Sequence, residues 1–170
     1  MDTGSLVRLR SWLLEGGASG IFALGSTGEA SYLTAPRRRL VVETLAQHKQ
    51  NEALLVGVLD TTTLRVLEAI DDLVDERVDA VVATAPFYAN VSRSEVLRHF
   101  EILADRSPVP VLATTSPRTW GTRSTASSWP SCCSRHGGRY QGLLAGTGRL
   151  STGLDVIVGT ALQSSAVHRF

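Results

Sequence analysis

Apolar and polar positions alternate along the first two thirds of the chain in a repeating order of helix and strand. Residues 2–17, "DTGSLVRLRSWLLEGG", place Leu6, Leu9 and Leu13 on one helical face, with Thr3 and Ser5 as capping candidates and Gly16-Gly17 as the stop. A short apolar run at 20–24, "GIFAL", reads as a strand covered on both faces. The next helix begins near Thr34, with Pro36 in its first turn. A strand follows at 54–58, a helix at "TTTLRVLEAIDDLVDE", and a strand at 79–85. Ser92 or Ser94 then caps "SRSEVLRHFEILADRS", and "VPVLA" (109–113) is a fourth strand. Strands each followed by a helix predict a βαβ series and hence a parallel sheet. The series opens on a helix, so a first strand is expected upstream of it.

Past residue 113 the period disappears. Residues 114–152 are rich in Ser, Thr, Arg and Gly, and they hold both cysteines and two of the three tryptophans. Residues 153–170 contain one more strand-like run, "LDVIVG" (154–159), before the tail. The expected organisation is therefore βα units over 1–113, an irregular segment over 114–152, and a residual strand with a tail over 153–170.

Bulk composition narrows the function. A net charge of +1 gives no electrostatic case for nucleic acid or an anionic membrane surface. No apolar run approaches the roughly 20 residues needed to span a bilayer, and the N-terminus lacks a signal-peptide layout. The adjacent Cys132 and Cys133 form neither a disulfide framework nor a metal site. The expectation is a cytoplasmic protein without metal or cofactor.

The polar, chemistry-bearing residues cluster just after the strands: "GSTGE" (25–29), "DTTT" (60–63) and "PFYANVS" (86–92). Parallel α/β folds bind ligands at that edge. Gly25 and Gly28 permit close approach and are expected to supply positive φ. Ser26 and Thr27 add hydroxyls and amides able to cradle a carboxylate or a phosphate, although a plain turn has the same composition. It is not a Walker A loop, because the lysine is absent. Asp60 with Thr61–Thr63 reads equally as site lining or helix cap. Arg37–Arg39 read as a solvated helix face, and His48 and His99 as surface or boundary residues. His136 and His168 fall beyond the periodic part.

Together, "GIFALGSTGEASYLT" and "VDAVVATAPFYANVSRSEVLRHFEILADRSPVPVLA" resemble the dihydrodipicolinate synthase/N-acetylneuraminate lyase family of class I Schiff-base aldolases. The resemblance covers roughly residues 3–113 and rests on GSTGE followed by P-[FY]-Y. It implies a TIM (β/α)8 barrel, here partial, with its first strand missing and its second half truncated or scrambled. It also implies a pyruvate-dependent carbon–carbon lyase or synthase in which a lysine amine forms an imine with the keto carbon, the iminium serving as electron sink. Gly25, Ser26, Thr27 and Gly28 inherit the binding of the pyruvate carboxylate, and Tyr88 a proton-relay role across a subunit contact in a homotetramer.

The family pattern then breaks. Where a Tyr-Asn/Asp-[Ile/Val]-Pro motif belongs, the chain reads "TTSP" (114–117), and no lysine follows Lys49, which is expected to face solvent. The codons of "TTSP" regrouped one base earlier permit Tyr-Asp-Ile-Pro. Those of "YQGLL" (140–144) regrouped one base later permit Ile-Lys-Asp-Ser-Ser. The segment from 114 to about 152 is thus expected to be out of frame, through more than one insertion or deletion; divergent sequence is the alternative. On this reading the chain is inactive, either as a pseudogene-like remnant or as a non-catalytic keto-acid binder.

Overall fold

The structure, a computed structural model, describes residues 1–75, 77–115 and 140–145. Helix α1 spans Thr3–Glu15, and its cap is Asp2 rather than Thr3 or Ser5: Asp2 Oδ1 accepts the Ser5 amide at 3.2 Å. A carboxylate at this place satisfies an otherwise unbonded N–H and meets the positive end of the helix dipole. The helix stops at Gly16-Gly17 as expected, with Gly17 at φ 94°.

Strand β1 (Gly20–Ala23) leads into helix α2 (Ala35–His48), and β2 (Ala53–Gly57) into α3 (Thr63–Leu73). Strand β3 (Ala80–Ala83) then precedes α4 (Arg93–Arg106) and β4 (Val111–Thr115). Ser92 is the α4 cap, in a reciprocal box: its hydroxyl accepts the Glu95 amide, and the Glu95 carboxylate accepts the Ser92 amide. Ser92→Ala should cost about 1 kcal/mol by denaturant titration, and Ser94→Ala much less. Equal losses would contradict this assignment.

Strand β5 (Tyr140–Ala145) lies inside the stretch whose sequence shows no period. It continues the sheet by pairing in parallel with β4, the register shifting between Val111 and Ala113. It coincides with the run whose alternative codon grouping reads Ile-Lys-Asp-Ser-Ser. The expected strand at 154–159, both cysteines, His136 and His168 lie outside the described residues.

All five strands are parallel and stand in sequential order, β1-β2-β3-β4-β5. Strand alternation sorts their side chains into two environments. Ile21, Ala23, Leu54, Val56, Val81, Ala83, Val111 and Ala113 pack among residues of the helices. Phe22, Leu55, Ala80, Val82 and Leu112 instead pack against one another, strand on strand. A doubly wound sheet would place helices on both faces, whereas one helical layer over a strand-lined interior is the arrangement of barrel walls. Among the described residues, no helix is long and apolar enough to cross a membrane.

Ion pairs staple the end of the sheet where the strands begin. Arg10 of α1 pairs with Glu52, both side chains being under a tenth exposed, and Lys49 Nζ meets Asp79 Oδ2 at 2.6 Å. Asp79 Oδ2 also accepts the Leu54 amide at 2.7 Å, tying the entry of β2 to that of β3.

Candidate functional site

The opposite end, beyond the strand C-termini, carries the unusual backbone. Among the described residues three non-glycines have positive φ, and all three lie there: Leu24 (58°), Glu29 (55°) and Tyr88 (95°). Such conformations cost on the order of 1–3 kcal/mol each and concentrate at functional sites. Leu24 and Glu29 bracket the GSTG turn. This corrects the expectation from sequence, which placed the positive φ at Gly25 and Gly28. With the reversals on the flanking residues, the glycines between them keep ordinary backbone.

Two backbone bonds close the turn, from the Glu29 amide to the Ser26 carbonyl (3.1 Å) and from the Ala30 amide to the Gly25 carbonyl (3.5 Å). Gly25 is buried, Thr27 half-buried, and Ser26 and Gly28 are exposed. Among the described residues, neither the Ser26 nor the Thr27 hydroxyl has a hydrogen-bond partner, so both are available to a ligand. Leu24, just before the turn, is 3% exposed and belongs to the same buried apolar cluster as Ile21, Val42 and Val56.

Tyr88 lies in the loop after β3, on the same edge. Tyr88 is 98% exposed, and Phe87 beside it is 36% exposed. Tyr32, in the short 3₁₀ turn Ala30–Tyr32, is exposed too. In the loop after β2, Asp60 Oδ1 accepts from the Thr61 amide (2.7 Å) and from Arg65 Nε (2.6 Å). Burial works against the Asp60 charge, but the bonds from Arg65 and Thr61 outweigh it and hold the carboxyl below its usual range. The α3 cap is Thr62, whose hydroxyl accepts the Arg65 amide at 3.3 Å.

His99 is not a surface or boundary residue. It is 2% exposed, and its ring bridges two elements at this end. Nδ1 meets the Thr63 hydroxyl at 2.8 Å and Nε2 meets the Thr84 carbonyl at 3.1 Å. Since a carbonyl only accepts, Nε2 carries the proton and Nδ1 accepts from Thr63. Burial pushes the imidazole pKa down to about 4, the Thr84 carbonyl opposing the shift only in part. Sequence gave no sign of this, because one histidine at helical spacing looks the same on either face of its helix. The Thr84 hydroxyl is buried and has no hydrogen-bond partner among the described residues.

Lys49 is also placed differently from expectation. Its side chain is 16% exposed rather than solvated, because Nζ is held by Asp79 and by the Arg77 carbonyl at 2.8 Å. It belongs to the entry edge of the sheet, the far end from Ser26 and Thr27. Arg37 and Arg39 are exposed, and Arg39 pairs with Asp72. His48 is exposed and Nδ1 bonds the Thr44 carbonyl at 2.8 Å. Among the described residues no three His, Cys, Asp or Glu side chains converge as metal ligands would.

Known proteins are similar to this chain in sequence and in fold. The 4-hydroxy-tetrahydrodipicolinate synthase of Flavobacterium psychrophilum is 26% identical over 113 residues, 66% of this chain and 39% of that protein. The Escherichia coli K12 protein YagE is 30% identical over 122 residues, 71% of this chain and 40% of its own length. The solved structure of YagE, described as a dihydrodipicolinic acid synthase family protein in complex with pyruvate, superposes with a TM-score of 0.77. That match, at 26% identity, covers 84% of this chain and 48% of YagE. The chain thus spans about two fifths of the length of the curated relatives it matches. With a sequence model of the dihydrodipicolinate synthetase family matching residues 1–122, the chain belongs to that family.

Proposed function

We propose that these residues carry the carboxylate-binding part of a pyruvate-dependent carbon–carbon lyase or synthase site, on a segment of a (β/α)8 barrel. Gly25, Ser26, Thr27 and Gly28 would hold the carboxylate of pyruvate or of a 2-keto sugar acid, with Tyr88 on the rim as the proton-relay residue. The observation that carries this reading is the Ser26 and Thr27 hydroxyls, unpaired among the described residues, on a turn set between two left-handed residues at the strand C-termini. The pyruvate complex of the similarly folded YagE supports the choice of ligand. A carboxylate held by hydroxyls and amides needs no metal.

The single lysine, Lys49, is bound at the other end of the sheet. We therefore propose that this chain binds a keto acid without forming a Schiff base, and that the frame of residues 114–152 decides whether a catalytic lysine ever stood nearby. Pyruvate titration followed by amide NMR should shift residues 25–29, and Ser26→Ala with Thr27→Val should weaken that binding at least tenfold. Borohydride reduction in the presence of pyruvate should leave the protein mass unchanged. A pyruvate adduct on Lys49 would refute the non-catalytic reading, and silence of residues 25–29 would refute the site.

A further inference from the structure

Gly57, the last residue of β2, is closer to the GSTG turn than any side chain could be. A Cβ built there would stand 2.2 Å from the Leu24 carbonyl oxygen and 2.7 Å from its carbon. Both atoms are backbone, so no rotamer change relieves the clash. Gly57 falls on the same side of β2 as Leu55, the strand-lined interior. The Leu24–Gly25 peptide therefore crosses the interior side of β2 in space that exists only because residue 57 has no side chain.

We infer that Gly57 is a positioning residue for the ligand-binding turn: its missing side chain admits the Leu24 carbonyl, and that contact aims residues 25–29. Leu24 is held at φ 58°, a conformation that a branched apolar residue adopts only when its surroundings enforce it. Its side chain is buried in the apolar cluster under the helices that also holds Ile21, Val42 and Val56, while its carbonyl lies on the interior side, in close approach to Gly57. Pinned from both sides, Leu24 transmits a set direction to Gly25 and hence to Ser26 and Thr27. The other glycines of the region lack this role. At Gly28 the nearest atom to a built Cβ is 3.4 Å away, and at Gly25 the close neighbour is the Phe22 ring edge.

The inference rests on the keto-acid reading for its functional consequence and is independent of that reading for its geometry. The test is Gly57→Ala, compared with Val81→Ala, a core truncation on the neighbouring strand that leaves the turn alone. Gly57→Ala should weaken pyruvate binding at least tenfold and move the amide resonances of residues 24–29. Val81→Ala should lower the melting temperature while changing pyruvate affinity less than twofold. Should Gly57→Ala fail to fold, Leu24→Gly releases the same restraint from the other side. It should speed hydrogen exchange at 25–29 and weaken pyruvate binding at least fivefold. Unaltered resonances at 24–29 together with unaltered affinity in the folded variant overturn the inference. Wild-type protein that ignores pyruvate overturns the ligand reading, while displaced 24–29 resonances in Gly57→Ala still uphold the positioning.

Discussion

Glu52→Ala is expected to cost about 3–5 kcal/mol of folding stability, against no more than about 1 kcal/mol for Asp72→Ala. Both carboxylates pair with an arginine, and the difference lies in solvent. The Arg10 and Glu52 side chains are 7% and 8% exposed, those of Arg39 and Asp72 51% and 52%. In the exposed pair, water and salt replace whatever the partner gave. In the covered pair, truncating Glu52 strands the Arg10 guanidinium under α1 at the strand-entry edge, where a permanently charged group finds little water. Burial of the Glu52 carboxyl opposes its ionisation. Its pKa is nonetheless held below the usual value by its own amide, the Gln50 amide and Arg10, so the pair is charged at neutral pH. Urea denaturation of both variants would decide the matter, and similar losses would show that Arg10 is not committed to Glu52. Replacing Arg10 by methionine together with Glu52 by leucine should recover much of the loss, since a covered ion pair is worth little beyond the apolar packing that could replace it.

The sheet was legible because its signal is local. Four short apolar runs ending in hydroxyl-rich turns define β1 to β4, and the glycine and serine punctuation at Gly16-Gly17 and Ser92 marks helix ends in the structure as it does in the sequence. Strand β5 was not legible. "YQGLLA" offers neither alternation nor a flanking helix pattern, and its parallel pairing with β4 is visible only in the structure. The turn at 25–29 could be found from composition, and its mechanics could not. The Leu24 carbonyl packs against Gly57 of another strand, a relation between positions 33 apart that no local pattern encodes. A glycine closing an apolar strand was the one available hint of close backbone approach. Lys49 and His99 show the same limit. A charged residue at a helix end and a histidine within a helix look solvated until the partners, Asp79 for one, Thr63 and Thr84 for the other, are placed by the fold.

His99 makes the strand-tip end of the sheet acid-sensitive. Its pKa is 6.5 in an unrestrained chain and about 4 in the fold, so the folded state binds fewer protons than the unfolded state between those values. Stability therefore owes nothing to this group's titration above pH 6.5 and falls as pH drops from there to about 4, by about 3 kcal/mol in all. The physical event is specific. A second proton must go to Nδ1, the atom that accepts from the Thr63 hydroxyl, and the resulting cation would sit in an edge-on packing with Phe100, 5.0 Å between ring centres, with no carboxylate bonded to it among the described residues. The added proton turns Nδ1 from acceptor to donor toward the Thr63 hydroxyl, while Nε2 keeps donating to the Thr84 carbonyl, four residues before Tyr88, so the destabilisation comes from burying the charge. Denaturant titrations at half-unit pH intervals should show this slope in the wild-type chain and lose it in His99→Gln, which keeps a donor for Thr84 but does not titrate. The Glu52 pair acts in a lower window. Its contribution is complete above the ordinary glutamate value of 4.5 and disappears only as pH falls below that, so the two groups separate on one curve. A wild-type profile that stays flat from pH 6.5 to 4.5, or a His99→Gln profile with the same slope, would place the neutral bridge between Thr63 and Thr84 in error.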